Sequence, residues 1–137
     1  MAEETTKPTG RSRRHSGAEK PIVLMTGATG FLGGALIKAL AADYAVVGLD
    51  RKPGDLEHAE GMRCDLTSEE SVEDAIRQVK SRHGTRIASV VHLAGYFDFS
   101  GEPNPLYQQV NVEGTRRLLR KLQALQVEQF IYASTML

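Results

Sequence analysis

Apolar positions along this chain alternate between two rhythms. Ile22-Val23-Leu24-Met25 is a short continuous apolar run inside a predicted strand from Pro21 to Thr26. Such a run suits a strand buried on both faces. From Phe31 to Ala42 the spacing becomes helical, with Phe31, Leu32, Ala35, Leu36, Ala39 and Leu40 predicted on or near one face. Tyr44 to Asp50 reads as a second strand, followed by a turn at Lys52-Pro53-Gly54-Asp55. Met62-Arg63-Cys64-Asp65-Leu66 reads as a short third strand. Thr67-Ser68-Glu69-Glu70 has the form of a capping box, in which Thr67 and Glu70 satisfy each other's backbone donors. The helix it opens is predicted to run to about Ser81, with Val72, Ala75, Ile76 and Val79 as its apolar stripe and His83-Gly84 as its end. Ile87 to Leu93 is a nearly continuous apolar fourth strand. Asn104-Pro105 resembles an N-cap followed by proline at the first helical position, and the helix continues to about Gln126. Leu118, Leu119, Leu122 and Leu125 are expected to face the sheet. Gln129 to Ala133 is the fifth strand.

Strand and helix alternate throughout, which predicts an α/β fold, a doubly wound parallel sheet with helices on both faces. Right-handed crossovers give the strand order 3-2-1-4-5. Ligands of such sheets bind at the carboxyl ends of the strands, where the order reverses. Residues 1 to 19 do not join this pattern. They are rich in Thr, Ser, Glu, Lys and Arg, show no apolar periodicity, and read as a disordered tail before a folded domain over 20–137. Glu3 and Glu4 argue against a transit peptide, and Arg11 to His15 has no aromatic or fold support as a nucleic-acid patch.

Composition narrows the function classes. The 137 residues carry 17 Lys and Arg against 17 Asp and Glu, so no polyanion-binding surface is expected and nucleic acid is not a predicted partner. No apolar run approaches the roughly 18 residues of a membrane helix, so no membrane partner is predicted either. The lone cysteine, Cys64, cannot form an internal disulfide, which fits a reducing, cytoplasmic compartment. No Cys and His cluster has metal-ligand spacing.

The candidate chemistry lies at the first strand end. Thr26-Gly27-Ala28-Thr29-Gly30-Phe31-Leu32-Gly33 places glycines at 27, 30 and 33 between a strand and a helix. The first glycine permits a turn, the second lets backbone approach a pyrophosphate, and the third lets helix pack on strand. The helix start offers N–H groups and a positive dipole to an anion. Asp50 ends the second strand 23 positions after Gly27, near the roughly 20 expected of an acid that binds a ribose. The competing reading is a glycine turn that only packs a helix on a strand. A methyltransferase-like nucleotide fold suits this glycine spacing poorly.

With these residues in place, the chain resembles the extended short-chain dehydrogenase/reductase family, the NAD-dependent epimerase/dehydratases. The resemblance rests on Thr26 to Gly33, on Asp50, on Cys64-Asp65-Leu66, on His92-Leu93-Ala94-Gly95, on Asn111-Val112-Glu113-Gly114-Thr115 and on Phe130 to Thr135, and covers about Pro21 to Leu137. It implies a Rossmann-like fold and NAD as cofactor, with NADP as the alternative. It implies that Gly27, Thr29, Gly30, Phe31, Leu32 and Gly33 cradle the pyrophosphate and that Asp50 receives the adenosine ribose. A carboxylate there favours two free hydroxyls over a ribose phosphate, whereas Arg51 beside it is either a cation for that phosphate or a solvated turn residue. Asp65 and Leu66 are implied beside the adenine, Asp65 being alternatively a helix-leading acid. Leu93, Ala94 and Gly95 are implied to line the cofactor. Asn111 is implied to approach it or, alternatively, to be a half-buried amide satisfied by backbone. His92 reads as a core histidine.

The family's chemistry uses a Ser or Thr with a Tyr-x-x-x-Lys pair, and Thr135 matches the first of these. No tyrosine here has lysine four positions on: Tyr44, Tyr96, Tyr107 and Tyr132 are followed at that distance by Gly48, Ser100, Asn111 and Met136. The expectation is therefore the cofactor half of a longer enzyme, truncated after the fifth strand and unable to turn over substrate alone. The full-length protein is expected to transfer hydride on a sugar nucleotide or a similar hydroxyl or ketone substrate, with a homodimer as one allowed assembly. A non-catalytic dinucleotide-binding sensor or interaction module is the other reading.

Overall fold

Five parallel strands build the main sheet in the computed structural model, which describes residues 19–135. Residues 1–18 of the predicted tail, together with Met136 and Leu137, lie outside the described residues. In chain order the elements are β1 (Ile22–Thr26), α1 (Phe31–Leu40), β2 (Ala45–Asp50), β3 (Glu60–Arg63), α2 (Glu69–His83), β4 (Arg86–Ile87), β5 (Ser89–His92), a π-helix (Tyr107–Gly114), α3 (Thr115–Leu122), β6 (Gln126–Val127) and β7 (Phe130–Tyr132). The main sheet runs β3-β2-β1-β5-β7. With the two-residue strands β4 and β6 set aside, this is the order read from the sequence.

Alternation along β1 explains the two layers. Leu24 points into a core with Val47, Leu49, Val90 and the inner faces of α2 and α3. Its neighbours Val23 and Met25 point to the other face, against Val46, Val91 and Ile37 of α1. Both faces of the sheet are therefore covered at its centre, which is why β1 and β2 are almost wholly apolar.

Several elements differ from expectation, each for a local reason. The third strand begins and ends earlier than predicted. Cys64 N–H still bonds the Asp50 carbonyl at 2.7 Å, but Asp65 N–H turns to the Ser71 hydroxyl at 2.9 Å and leaves the ladder. The predicted capping box is displaced by one residue. Ser68 is the N-cap and accepts the Ser71 N–H at 3.1 Å, while Thr67 gives both its N–H and its hydroxyl to Asp65 Oδ1. The fourth strand is interrupted at Ala88, whose N–H bonds the Ile22 carbonyl at 2.9 Å. Arg86–Ile87 pair with Gln126–Val127 in the same parallel register that Val90 to His92 keep with Phe130 to Tyr132, so β4 and β5 are one strand with a break.

The apolar faces of two helices are also shifted. On α1, Phe31 is 96% exposed and Leu32, Ala35 and Ala39 are exposed, whereas Gly33 and Ile37 are buried with Leu36 and Leu40 half-buried. The buried stripe thus follows Gly33, which packs beneath the glycine turn. On α3, Leu118 and Leu122 are buried, as is Leu125 in the turn after it, but Leu119 is exposed. It sits one residue, about 100° of helix, away from Leu118. Among the described residues no helix is long and apolar enough to cross a membrane.

Candidate functional site

Backbone geometry at the end of β1 sets the site. Gly27 has φ +67, and a Cβ there would lie 2.8 Å from the Ala94 nitrogen. A side chain is therefore barred both by conformation and by the approach of the β5 end. At Gly33 a Cβ would lie 2.6 Å from the Gly27 carbonyl oxygen, so the missing side chain lets α1 pack on the turn. Gly30 is the N-cap of α1 and contributes no side-chain cap, and a Cβ there would meet only the Gly27 oxygen, at 3.3 Å. The first backbone bond into α1 is from Gly34 N–H to the Gly30 carbonyl at 3.0 Å. The N–H groups of Phe31, Leu32 and Gly33 thus have no acceptor in the helix, and no acid sits in its first turn to take their place.

Asp50 closes the other side of this turn. Its Oδ2 accepts the Thr29 hydroxyl at 2.8 Å and the Thr29 N–H at 3.2 Å, and its Oδ1 faces the Lys52 N–H at 3.4 Å. The carboxylate at the end of β2 therefore organises the glycine turn and still presents lone pairs to the cleft. Asp65 lies at the neighbouring strand end. Burial pushes its carboxyl up, but hydrogen bonds from the Thr67 hydroxyl and N–H, with the charges of Arg51 and Arg63, outweigh this and hold it below the usual carboxylate range. The charge of Arg51 thus acts on an acid already present.

A cleft of about 440 Å³ runs across these strand ends, a size that suits a small-molecule site. Gly27, Thr29, Gly30, Asp50, Arg51, Asp65, Leu66, Leu93, Ala94 and Gly95 all line it. Five of the residues singled out from the sequence do not. Phe31 and Leu32 turn their side chains outward and offer only backbone, and Gly33 lies beneath the turn. Thr135 is exposed beyond the carboxyl end of β7. Asn111, in the π-helix, spends its whole carboxamide on one residue: Oδ1 accepts the Tyr96 N–H at 2.7 Å and Nδ2 donates to the Tyr96 carbonyl at 2.9 Å. It fixes the Gly95–Tyr96 backbone at the edge of the cleft.

Thr26, Cys64, Thr67, Tyr96, Leu106 and Val110 also line the cleft, and none was assigned a cofactor role from sequence. Burial, with the Asp65 charge, raises the Cys64 thiol to about 11, so it stays a thiol and acts as wall. The Tyr96 phenol donates to Asp98 Oδ2 at 2.8 Å, and this bond raises its pKa, the opposite of what a proton acceptor needs. Thr26 carries more of the architecture. Its hydroxyl accepts the N–H groups of Leu93 and Ala94, both at 3.1 Å, and lies 2.6 Å from His92 Nδ1. With both lone pairs engaged, the hydroxyl proton goes to Nδ1, so His92 is neutral with its proton on Nε2, facing Thr115 Oγ1 at 2.8 Å. His92 is fully buried, and burial lowers its pKa to about 4. The signal for this relay is visible in the sequence: Thr26 and His92 are polar residues that each follow an apolar stretch, at the carboxyl ends of two neighbouring strands.

A dinucleotide fits these groups. Free N–H groups and an open glycine face meet a pyrophosphate, a carboxylate meets ribose hydroxyls, and Leu66, Leu93 and Ala94 supply apolar walls.

Residues 23–137 match the NAD dependent epimerase/dehydratase family. The chain is 32% identical to a decarboxylating sterol-4-alpha-carboxylate 3-dehydrogenase of Candida albicans, over 82% of this chain and 34% of that protein. It is 30% identical to a 3-beta-hydroxysteroid dehydrogenase of Mycolicibacterium neoaurum, over 82% of this chain and 31% of that one. A crystal structure of a short-chain dehydrogenase/reductase superfamily protein from Agrobacterium tumefaciens, with NAD bound, superposes with a TM-score of 0.67 at 31% identity, covering 83% of this chain and 32% of that chain. The chain thus spans about a third of the length of the curated relatives it matches. Profile, sequence and fold agree with the geometry of the cleft, and the chain belongs to the NAD-dependent epimerase/dehydratase family.

Proposed function

We propose that this chain holds NAD across the ends of β1, β2 and β5 as the cofactor part of an enzyme acting on a hydroxyl or ketone carbon. The observation that carries the reading is the pairing of Asp50 with the uncapped start of α1, one on each side of Thr29. In this reading the N–H groups at 31 to 33 take the pyrophosphate and Asp50 takes the adenosine ribose hydroxyls. Asp65 and Leu66 border the adenine, while Leu93 to Gly95 line the nicotinamide side. NAD when bound supplies the hydride acceptor. Thr135, beyond the end of β7, is the hydroxyl we assign to the reacting oxygen. The two curated relatives named above are sterol and steroid dehydrogenases.

Titration of the purified chain with NADH and NADPH tests this. NADH is expected to bind tighter, because a ribose phosphate would lie against the Asp50 carboxylate. Equal or tighter NADPH binding would overturn the assignment of Asp50, and absence of binding by either would overturn the whole reading. Asp50→Asn is expected to narrow the preference.

A second reading, a dinucleotide-binding module without catalysis, is favoured by one observation. No tyrosine in these 137 residues has lysine at the fourth following position, and Tyr96, which does line the cleft, is committed to Asp98. We expect this polypeptide alone to bind NAD without turnover; reduction of NAD by it in the presence of an alcohol substrate would refute that.

A further inference from the structure

We propose that Arg117, on α3 and outside the cleft, is a positioning residue for the adenine half of the cofactor: its guanidinium holds the Leu66 wall of the cleft from behind. This rests on the NAD-binding reading above and adds to it a residue that touches no ligand.

The stretch that joins β3 to α2 gives the cleft Cys64, Asp65, Leu66 and Thr67. After Cys64 it has left the sheet ladder, and its hydrogen bonds are local. Asp65 N–H donates to the Ser71 hydroxyl at 2.9 Å, Thr67 donates twice to Asp65 Oδ1, and Ser68 N–H donates to the Asp65 carbonyl at 3.0 Å. These bonds shape the turn but do not tie it to a neighbouring element. The Leu66 carbonyl does. Among the described residues no backbone N–H reaches it, and Arg117 Nη1 donates to it from α3, 51 positions along the chain.

The contact is preorganised on both sides. The Arg117 side chain is only 17% exposed, so water competes little for its donors. Its Nε donates to Glu69 Oε2 at 2.9 Å, which fixes the plane of the guanidinium while Nη1 meets the carbonyl. Hydrogen bonds from Arg117 and Lys121 hold the Glu69 carboxyl below the usual carboxylate range, so this anchor stays charged. Backbone packing closes the same side. At Gly114, just before α3, a Cβ would lie 3.0 Å from Leu66 Cβ and 3.3 Å from the Leu66 carbonyl oxygen. Leu66 is thus set between the helix start and the cleft. A wall already fixed loses less conformational freedom when a planar base lies against it. Without the guanidinium the carbonyl loses its partner, and turning it toward water moves Leu66 with it. Asp50 and the N–H groups at 31 to 33 stand on other elements, so the loss should fall on the base and not on ribose or diphosphate.

Displacement of bound NADH by ADP and by CDP, followed by NADH fluorescence, tests this in the unsubstituted chain, in Arg117→Met and in Arg117→Lys. The two probes share ribose and diphosphate and differ in the base. ADP is expected to bind the unsubstituted chain more tightly than CDP. Arg117→Met keeps an apolar stem and loses the donors; it is expected to weaken ADP by about tenfold, the size of one hydrogen bond from a charged group, and to leave CDP unchanged. Arg117→Lys, whose ammonium can still donate to the carbonyl, is expected to recover part of the ADP affinity. An ADP-to-CDP ratio in Arg117→Met equal to that of the unsubstituted chain, whether both probes hold or both weaken, would overturn the proposal. So would ADP no tighter than CDP on the unsubstituted chain, or Arg117→Lys no better than Arg117→Met. Where Arg117→Met does not bind NADH, the ratio in Arg117→Lys decides in the same way, and loss of NADH binding by both variants would make Arg117 a residue of the whole fold and overturn the proposal too. Failure of NADH to bind the unsubstituted chain would instead strike the underlying dinucleotide reading.

Discussion

At the scale of single residues, the site depends on groups that cannot carry anything more than they do. Gly27 combines φ +67 with a neighbour 2.8 Å from its missing Cβ. Gly34, seven residues on and inside α1, has nothing within 4 Å. Gly27→Ala should therefore destabilise by roughly 2 kcal/mol or more through backbone strain and clash. Gly34→Ala should stabilise by roughly 0.5–1 kcal/mol through helix propensity. Urea unfolding of the two variants checks both signs. His92 gives a pH test. Its folded pKa of about 4 lies below the ordinary histidine value of 6.5. The neutral ring's contribution is therefore fully present above about pH 6.5 and is lost as pH falls toward 4. The shift corresponds to roughly 3 kcal/mol. The stability difference between the unsubstituted chain and His92→Phe should shrink by about that amount between pH 7 and 4, other titrating carboxylates cancelling in the comparison. A pH-independent difference would mean that His92 is not held neutral by Thr26 and burial.

At the scale of elements, the sequence was legible where one residue type has one physical use. The glycines at 27 and 33 could be assigned a turn and a packing role in advance because a Cβ excludes the alternatives. Asp50 was legible because a strand end places a carboxylate beside that turn. Phases of helices were less so: apolar residues cover too much of α1 to reveal which stripe is buried until Gly33 anchors it. Ser68 displaced Thr67 as N-cap because Asp65 captures both donors of Thr67, a contact across two residues that the capping-box pattern does not encode. The π-helix over Tyr107–Gly114 had no sequence signature, since its apolar spacing fits an α-helix as well. Its Asn111 does not line the cleft. The amide is half-buried and satisfied by backbone, and through Tyr96 it shapes the cleft edge. Asn111→Leu should leave the Tyr96 N–H and carbonyl unpaired, at a cost of roughly 1–3 kcal/mol. Hydrogen exchange should rise at Tyr96 and its neighbours, and NAD binding should weaken. Unchanged exchange there would remove Asn111 from this positioning role.

At the scale of the whole molecule, the two edges of the main sheet are unlike. On the β3 edge, Glu60 accepts a hydrogen bond from Arg82 and pairs with His83 at 2.7 Å, and exposed Arg63 follows along the strand. Burial raises the Glu60 carboxyl, but these partners outweigh it and hold the group below its usual range, so it stays charged near neutral pH. An edge so charged resists pairing with another strand. On the β7 edge, Ile131 and Tyr132 are exposed, and beside them Val112 and Leu119 of the helical layer expose further hydrocarbon. Arg116 and Arg120 lie in the same shallow surface, and Arg116 is already paired with Glu113, Arg120 with Glu69. The unpaired backbone of β7 together with this apolar surround is therefore where this polypeptide should associate with itself. Its thermal midpoint should rise with protein concentration, as mass action requires when association favours the folded state. Ile131→Lys should make the midpoint independent of concentration, and sedimentation should shift to the monomer. Lysine at Arg63, on the edge already guarded by charge, should change neither. A concentration-independent, reversible melt of the unsubstituted chain would show that the β7 edge is protected by some means other than charge.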